Sequence, residues 1–275
     1  MSHPFRFGVI AAPRGSAEEW IATARRIADL GYSTLLSPDG VGLHAPFVAL
    51  ATAATAAPGL RVATFVLAAP LRAPRAAAWE GHSLAVLSAD RFEFGIGTGR
   101  PDAKAEAESF GRTWGTGDDR LAVVRDSIAA LREFDGADRR TPVLMAAAGP
   151  KALELAAAEA DIVALAAMPT TPRADVAAMA AGLRERAGAR AAALELAMNL
   201  MVVGDEVPPW TRQFLRADPA ELYRQGSLAV LRGSPQEMAD ELQRRRDEIG
   251  VSYLAVDQSF VDSLAPVVEL LAGKD

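Results

Sequence analysis

The feature that most constrains the fold is an alternation of short apolar runs with helical segments, repeated along the whole chain. Eight runs read as strands: residues 5–12, 34–37, 60–67, 91–97, 141–148, 161–167, 194–203 and 253–257. Helix signals separate them, such as the capping box of Ser16 with Glu19 and the Ser234-Pro235-Gln236-Glu237 start. Chains that alternate in this way form α/β folds with parallel sheets.

Several of these runs are apolar throughout, as expected for strands buried on both faces of a parallel sheet. Eight βα units in 275 residues predict a (β/α)8 TIM barrel made of one domain, residues 1–275. A doubly wound sheet remains the alternative, because alternation alone does not separate the two folds. The connections 98–118 and 204–233 are long, which predicts insertions after strands four and seven.

Composition excludes several classes of site and partner. The chain has no cysteine, and His3, His44 and His82 are too far apart for a metal-ligand motif, so we expect no metal site. The net charge of −6, without a basic block, argues against nucleic acid. No apolar run is long enough to cross a bilayer, and no basic leader precedes the first strand. We therefore expect a cytoplasmic protein with no membrane partner.

Three alternate glycines, Gly95, Gly97 and Gly99, end the fourth strand in the segment SADRFEFGIGTGRPD. They do not form a dinucleotide fingerprint, which needs G-x-G-x-x-G after the first strand, and no Gly-Lys-Ser/Thr follows to make a P-loop. In a barrel this segment lies at the face where active sites occur. Two interpretations stay open: the glycines admit a flat ligand, or they relieve crowding inside the barrel.

Two further segments follow strands. Gly149, Pro150 and Lys151 open a helix, whose N-terminal N–H groups would suit a phosphate, although Gly-Pro is also ordinary helix-start chemistry. Asp39 ends the second strand within Ser-Pro-Asp-Gly, which is equally a common turn sequence.

Together these segments resemble the luciferase-like monooxygenase superfamily, and within it the oxidoreductases that depend on coenzyme F420, a deazaflavin. The resemblance covers nearly the whole chain in order. It lies in residues 31–55, 60–67, 74–99, 146–165 and 233–256, and the block PRAAAWEGHSLAVLSADRFEFGIGTG (74–99) is its most specific part.

The resemblance implies a TIM barrel that holds a flavin or deazaflavin at its C-terminal mouth. The third strand would lie behind the ring, and in F420-binding relatives it carries a non-proline cis peptide that forms a bulge. Gly149, Pro150 and Lys151 would bind the cofactor phosphate. The implied cofactor-binding residues are Asp39, Ala63, Thr64, Phe65, Val66, Gly97, Thr98, Gly99, Gly149, Pro150 and Lys151.

The sequence departs from the family pattern in two places. Relatives often carry histidine after the aspartate of strand two, and this chain has Gly40 there. The candidate catalytic residues are therefore Asp39 and His44, with His44 either replacing that histidine or lying at the surface. The segment between strands four and five is also shorter than usual, so the resemblance does not carry the substrate over.

Three functions follow from the resemblance. The first is hydride transfer between F420 and a small organic substrate, with Arg100 or Arg112 available to the acidic tail of F420. The second is monooxygenation with reduced FMN and O2. The third is a non-catalytic flavin-binding barrel. Related barrels often dimerise, so we expect a homodimer, although the sequence does not show which face would pair.

Overall fold

The structure, a computed structural model, describes residues 3–208, 211, 215 and 217–274. All but one of its strands overlap the predicted apolar runs; the exception, residues 230–231, lies in the predicted connection 204–233. The strands are β1 (Arg6–Ile10), β2 (Thr34–Ser37), β3 (Arg61–Thr64), β4 (Leu67–Ala68), β5 (Phe92–Gly97), β6 (Val143–Ala147), β7 (Ile162–Leu165), β8 (Glu195–Leu200), β9 (Val202–Val203), β10 (Val230–Leu231) and β11 (Val251–Asp257).

The main sheet closes on itself. Its order is β3-β2-β1-β11-β8-β7-β6-β5-β4, every pairing is parallel, and β3 also pairs with β5. In the described part of the chain, eight strand positions therefore complete a TIM barrel, with β4 continuing the path of β3 alongside β5. The predicted barrel is confirmed. The doubly wound alternative is wrong, because in an open sheet β3 and β5 would not pair with each other to close the ring of strands.

The helices form the outer layer. They are α1 (Ala17–Asp29), α2 (Pro46–Ala56), α3 (Pro74–Leu87), α4 (Ala103–Ser109), α5 (Gly117–Asp135), α6 (Pro150–Glu159), α7 (Arg173–Ala187), α8 (Pro219–Arg224), α9 (Pro235–Ile249) and α10 (Val261–Leu271). Ser16 and Ser234 each accept a backbone hydrogen bond from the glutamate three residues on, as the capping boxes predict. No helix in the described ranges has the length and apolarity needed to cross a membrane.

The predicted third strand, 60–67, is interrupted. Strand β3 ends at Thr64, the peptide bond between Phe65 and Val66 is cis, and the chain resumes as β4 at Leu67. The cis bond lies in the strand where the family resemblance implies one. Phe65 and Val66 lie outside both strands, while the N–H of Phe65 still donates to the carbonyl oxygen of Ser37 at 2.7 Å. The apolar pattern of the run does not reveal this break.

Both predicted insertions are present. Helix α4 lies in the connection between β5 and α5, while β9, α8 and β10 lie between β8 and α9. The second insertion has its own small apolar cluster, which includes Val202, Leu222 and Val230. Residues 209–210, 212–214 and 216 of the predicted 204–233 connection lie outside the described residues.

Side chains that point into the barrel differ between its two ends. At the N-terminal end they are large or charged, and they include Arg6, Glu93, Leu144, Ile162 and Glu195. Towards the C-terminal end the same strands carry glycine and alanine, at positions 95, 97, 146, 164, 197 and 255. The barrel is therefore filled at its N-terminal end and hollow towards the other.

Candidate active site

A cavity of about 370 Å³ opens at the C-terminal end of the barrel. It lies where β6, β7 and β8 end, and the segment of Leu228 and Ala229 also borders it. The remaining lining residues are Phe65, Arg100, Ala146, Ala164, Leu165, Ala166, Ala167, Met168, Thr171, Val176, Met198, Asn199 and Met201. The wall is thus mainly apolar, with three polar side chains, those of Arg100, Thr171 and Asn199.

The cavity exists because neighbouring strands place small residues at one level. Ala146 of β6 pairs in register with Ala164 of β7, and Ala164 pairs with Ala197 of β8. Any longer side chain at these inward positions would fill the space, as Leu144 and Ile162 do one layer below. Phe65, beside the cis peptide, contributes a planar aromatic wall.

The alternate glycines of β5 have separate functions. The hydroxyl of Thr64 donates to the carbonyl oxygen of Gly95 at 2.7 Å and accepts from its N–H at 2.8 Å. A Cβ at Gly95 would overlap the carbonyl oxygen of Thr64, so this glycine serves close strand packing. A Cβ at Gly97 would lie 3.0 Å from Cγ2 of Val66, and Gly99 has a positive φ of 80°.

Asp39 does not line the cavity. Its carboxylate accepts hydrogen bonds from Nη1 and Nη2 of Arg72, at 2.6 and 2.9 Å, and from the backbone N–H of Ala68 at 3.0 Å. Its side chain is only 2% exposed. Asp39 therefore connects the end of β2 to the segment that follows the cis peptide.

Neither Gly40, which stands where relatives often have histidine, nor His44 lines the cavity. Gly40 lies beside α4, where a Cβ would meet the carboxylate of Glu106 at 3.6 Å. The imidazole Nε2 of His44 lies 2.9 Å from the carbonyl oxygen of Gly15, and His44 is exposed. In the described part of the chain, no carboxylate or imidazole lines this cavity.

The predicted phosphate-binding residues occupy the same end of the barrel. Gly149 is the N-cap of α6, is exposed and lies two residues beyond β6. Lys151 points towards α5, where its Nζ donates to both carboxylate oxygens of Asp118, at 2.8 and 2.6 Å. Gly149 and Asp39 thus follow strands at one face of the barrel, although the cavity is lined by neither.

Of the predicted site residues, only Phe65 lines this cavity, and of the two arginines considered for an acidic tail only Arg100 does. Ala63 and Thr64 lie one step below in β3, and Val66 faces Gly97. Asn199 was not identified from the sequence, nor were the methionines that also line the cavity, Met168, Met198 and Met201. A signal for Asn199 was present, since it and Glu195 are the two polar residues of the run 194–203 and alternate on one face of the strand.

A cluster of charged side chains fills the N-terminal end of the barrel, opposite the cavity. Arg6 donates to Glu195 at 2.6 Å and to Glu93 at 2.6 Å, and Arg61 donates to Glu93 at 3.0 Å. Burial opposes the charge on Glu93, but Arg6 and Arg61 outweigh it and hold the pKa of this carboxyl below its ordinary value. These residues begin their strands, so they stabilise the barrel far from the cavity.

Comparisons with known proteins agree with this architecture. The sequence profile described as "luciferase-like monooxygenase" matches residues 1–208. No curated protein sequence matches the chain significantly.

Solved structures of similar fold include F420-dependent enzymes and a monooxygenase. Coenzyme F420-dependent tetrahydromethanopterin reductase from Methanopyrus kandleri aligns with 98% of this chain and 99% of its own, with a TM-score of 0.72 and 15% identity. A monooxygenase from Streptomyces bottropensis aligns over 96% of this chain and 97% of its own, with a TM-score of 0.68 and 19% identity. An F420-dependent secondary alcohol dehydrogenase was solved with an F420-acetone adduct. It aligns over 96% of this chain and 99% of its own, with a TM-score of 0.72 and 15% identity. At these identities the likeness concerns the fold.

Proposed function

Because the chain belongs to the luciferase-like monooxygenase family, and so to a class of F420- or flavin-dependent oxidoreductases, we propose that it transfers a hydride between coenzyme F420 and a small organic substrate. The observation that carries the proposal is the apolar cavity at the barrel's C-terminal end, with Arg100 as its one charged lining residue in the described chain.

The residues present fit a flat aromatic ring. The volume of about 370 Å³ lies within the range of roughly 300–1,000 Å³ usual for small-molecule sites. Phe65 offers a planar face, and the small side chains of Ala146 and Ala164 leave room beside it. Gly97 and Gly99 do not line the cavity; without a side chain they let Val66 and Trp114 pack closely against β5 and its end.

Within this proposal, the bound deazaflavin supplies the hydride chemistry and the chain supplies position and a water-poor surrounding. Phe65 supports one ring face, and Val66 packs behind it against Gly97. Gly149 and Lys151 hold the phosphate at the N-terminus of α6, where backbone N–H groups have no partner within the helix. Asp39 keeps the end of β4 in place through its bonds to Arg72 and Ala68.

Asp39 and His44 remain the candidate proton donors from the sequence. In this conformation both are engaged elsewhere, Asp39 with Arg72 and His44 with the carbonyl of Gly15. Since no carboxylate or imidazole in the described ranges lines the cavity, we propose that Asp39 positions the site and that solvent supplies any proton.

Arg100 favours F420 over FMN. The tail of F420 carries carboxylates, and an arginine at the rim would bind them through charge-assisted hydrogen bonds. Arg100 donates to Asp102 at 3.2 Å, and its side chain is 65% exposed. Such surface pairs are weak, so a carboxylate of the ligand can replace Asp102 as the partner of Arg100. The apolar wall favours the second candidate, FMN-dependent monooxygenation, because O2 chemistry on a reduced flavin benefits from excluded water.

A fluorescence titration tests the choice. We expect purified protein to bind F420 at least about tenfold more tightly than FMN, and we expect added salt to weaken F420 binding. Arg100→Ala should weaken F420 but leave the tailless deazaflavin chromophore unaffected, while Arg112→Ala, outside the cavity, serves as the control. Preferential binding of FMN would favour the monooxygenase.

We also propose a homodimer formed through the outer face of α2 and α3. Val48, Trp79 and Leu87 on these helices are 68%, 61% and 81% exposed. They border a groove between the two helices whose walls include Ala51 and Ser83. A contiguous apolar face of this kind is typical of a protein interface.

A further inference from the structure

Asn199 is an inward-facing residue of β8. Alternate residues of this strand point into the barrel: Glu195 meets Arg6, Ala197 packs in the interior cluster and Asn199 borders the cavity. In register, Asn199 lies level with Ala255 of β11. Asn199 therefore lies one layer above the small side chains of Ala164 and Ala197, towards the mouth of the cavity.

Its carboxamide makes no hydrogen bond with any other described residue, and Asn199 is half-buried. The side chains around it, such as those of Met198, Met201 and Ala164, offer no hydrogen-bond partner of useful strength. An amide that faces an apolar cavity is costly once a ligand displaces the water, unless the ligand bonds it. The cavity therefore favours a ligand whose polar atoms can form hydrogen bonds with the amide of Asn199.

An asparagine amide presents a donor and an acceptor side by side in one plane. The isoalloxazine of FMN and the deazaflavin of F420 share a pyrimidinedione edge, in which an N–H lies between two carbonyl groups. The two patterns are complementary. Thr171, the other uncharged polar lining residue, has a single hydroxyl oxygen and cannot span two adjacent ring atoms.

We propose that Asn199 binds the pyrimidinedione edge of the cofactor ring, with Nδ2 donating to a ring carbonyl and Oδ1 accepting from the ring N–H. This inference rests on the proposed function, because it requires a flavin or deazaflavin ring in the cavity. It does not depend on which of the two binds. The pair fixes the rotation of the ring in its own plane, and with it the position of the reacting carbon relative to Phe65.

The test uses riboflavin and 5-deazariboflavin, each beside its 3-methyl derivative, in which the ring N–H is blocked. Affinity for wild type is measured by fluorescence or calorimetry without turnover. Wild type should bind the 3-methyl compounds about tenfold more weakly, the effect of one hydrogen bond of ordinary strength. Asn199→Leu, of similar size, should bind the parent rings about tenfold more weakly and should no longer distinguish them from the methylated rings.

Two further variants sharpen the result. Asn199→Asp removes the donor and places a carboxylate against a carbonyl, so it should bind at least as weakly as Asn199→Leu. Thr171→Val, in the same cavity, should keep the wild-type preference. Circular dichroism establishes that each variant is folded.

The outcomes separate the two proposals. If Asn199→Leu binds the rings and still prefers the unmethylated ones, the pairing is wrong while the ring site stands. If wild type binds none of the four ring compounds, the proposed cofactor site fails, and this inference fails with it.

Discussion

Arg72 holds Asp39 through two parallel hydrogen bonds, Nη1 to Oδ2 at 2.6 Å and Nη2 to Oδ1 at 2.9 Å. The backbone N–H of Ala68 adds a third at 3.0 Å. Bidentate pairs of this kind fix orientation as well as distance. These bonds join the loop after β2 to the end of β4 and to Arg72 beyond it, and so support the wall that includes Phe65.

Asp39→Asn should destabilise the protein, because the amide presents N–H groups to a guanidinium that only donates. Leaving one member of a buried pair without its partner costs about 3 kcal/mol in the free energy of unfolding, measured by urea denaturation. Arg72→Met should cost a similar amount, and the double variant less than the sum.

A matched surface pair gives the control. Arg26 and Asp262 are 60% and 69% exposed in their side chains, so Arg26→Met should change the free energy of unfolding by less than about 1 kcal/mol. If Asp39→Asn abolished turnover while stability stayed at the wild-type value, Asp39 would be a proton donor and the positioning function would be wrong.

Gly95→Ala should prevent folding or destabilise the barrel by about 3 kcal/mol or more. Its Cβ would overlap the carbonyl oxygen of Thr64, and a backbone atom in a barrel strand cannot move aside as a flexible side chain can. Gly59→Ala is the control, since nothing lies within 4 Å of a Cβ there. A folded Gly95→Ala protein with a wild-type melting temperature would refute the close-packing explanation.

Glu93 should make stability depend on pH. A carboxyl whose pKa is lower in the folded chain than its unfolded value, about 4.3 for glutamate, stabilises the fold above that value. This contribution is lost as the pH falls through the folded pKa. The pKa of Glu93 is lowered in this way, because Arg6 and Arg61 outweigh the opposing effect of burial.

Glu93→Gln should therefore cost about 3 kcal/mol or more at pH 7, and its difference from wild type should narrow as the pH falls below about 4. Urea unfolding at a series of pH values measures both effects. Glu133→Gln, which removes an exposed partner of Arg75, should follow the wild-type curve throughout. A Glu93→Gln protein that kept a constant difference at all pH values would contradict the assignment.

The barrel could be predicted from the sequence because strand and helix periods alternate eight times and the caps are local. Ser16 with Glu19, and Ser234 with Glu237, need only a four-residue window. The break at Phe65 and Val66 could not be predicted from the run itself, because both residues are apolar like their neighbours.

The site was less accessible, because its contacts join residues far apart in sequence. Nothing near Asp39 in the chain indicates that Arg72, 33 residues away, holds it. Asn199 could have been found by combining the barrel prediction with strand alternation, since Glu195, Ala197 and Asn199 share one face. Which inward positions leave a cavity depends on the register of β6, β7 and β8, and a single sequence does not give that register.

Ala166→Phe should block ring binding without unfolding the protein. Ala166 follows β7, is exposed and borders the cavity, so a larger side chain can enter the open space without meeting packed atoms. The affinity for F420 or FMN should fall at least about tenfold, while the melting temperature should stay within a few degrees. Ala192→Phe, at an exposed position outside the cavity lining, should leave binding unchanged. Undiminished binding to Ala166→Phe would place the ring site elsewhere.

Leu87→Glu should convert the proposed dimer into a monomer. In solution, wild type should sediment at twice the chain mass of 29.0 kDa. A charge buried against the partner's α2 and α3 would raise the dissociation constant at least about thirtyfold, the effect of losing a central interface residue. Trp79→Glu should act in the same way, because both side chains project from one helix face. Phe110→Glu, which alters an exposed aromatic residue at the end of α4, should leave the dimer intact, and equal dissociation by all three variants would show that added charge rather than this face is responsible.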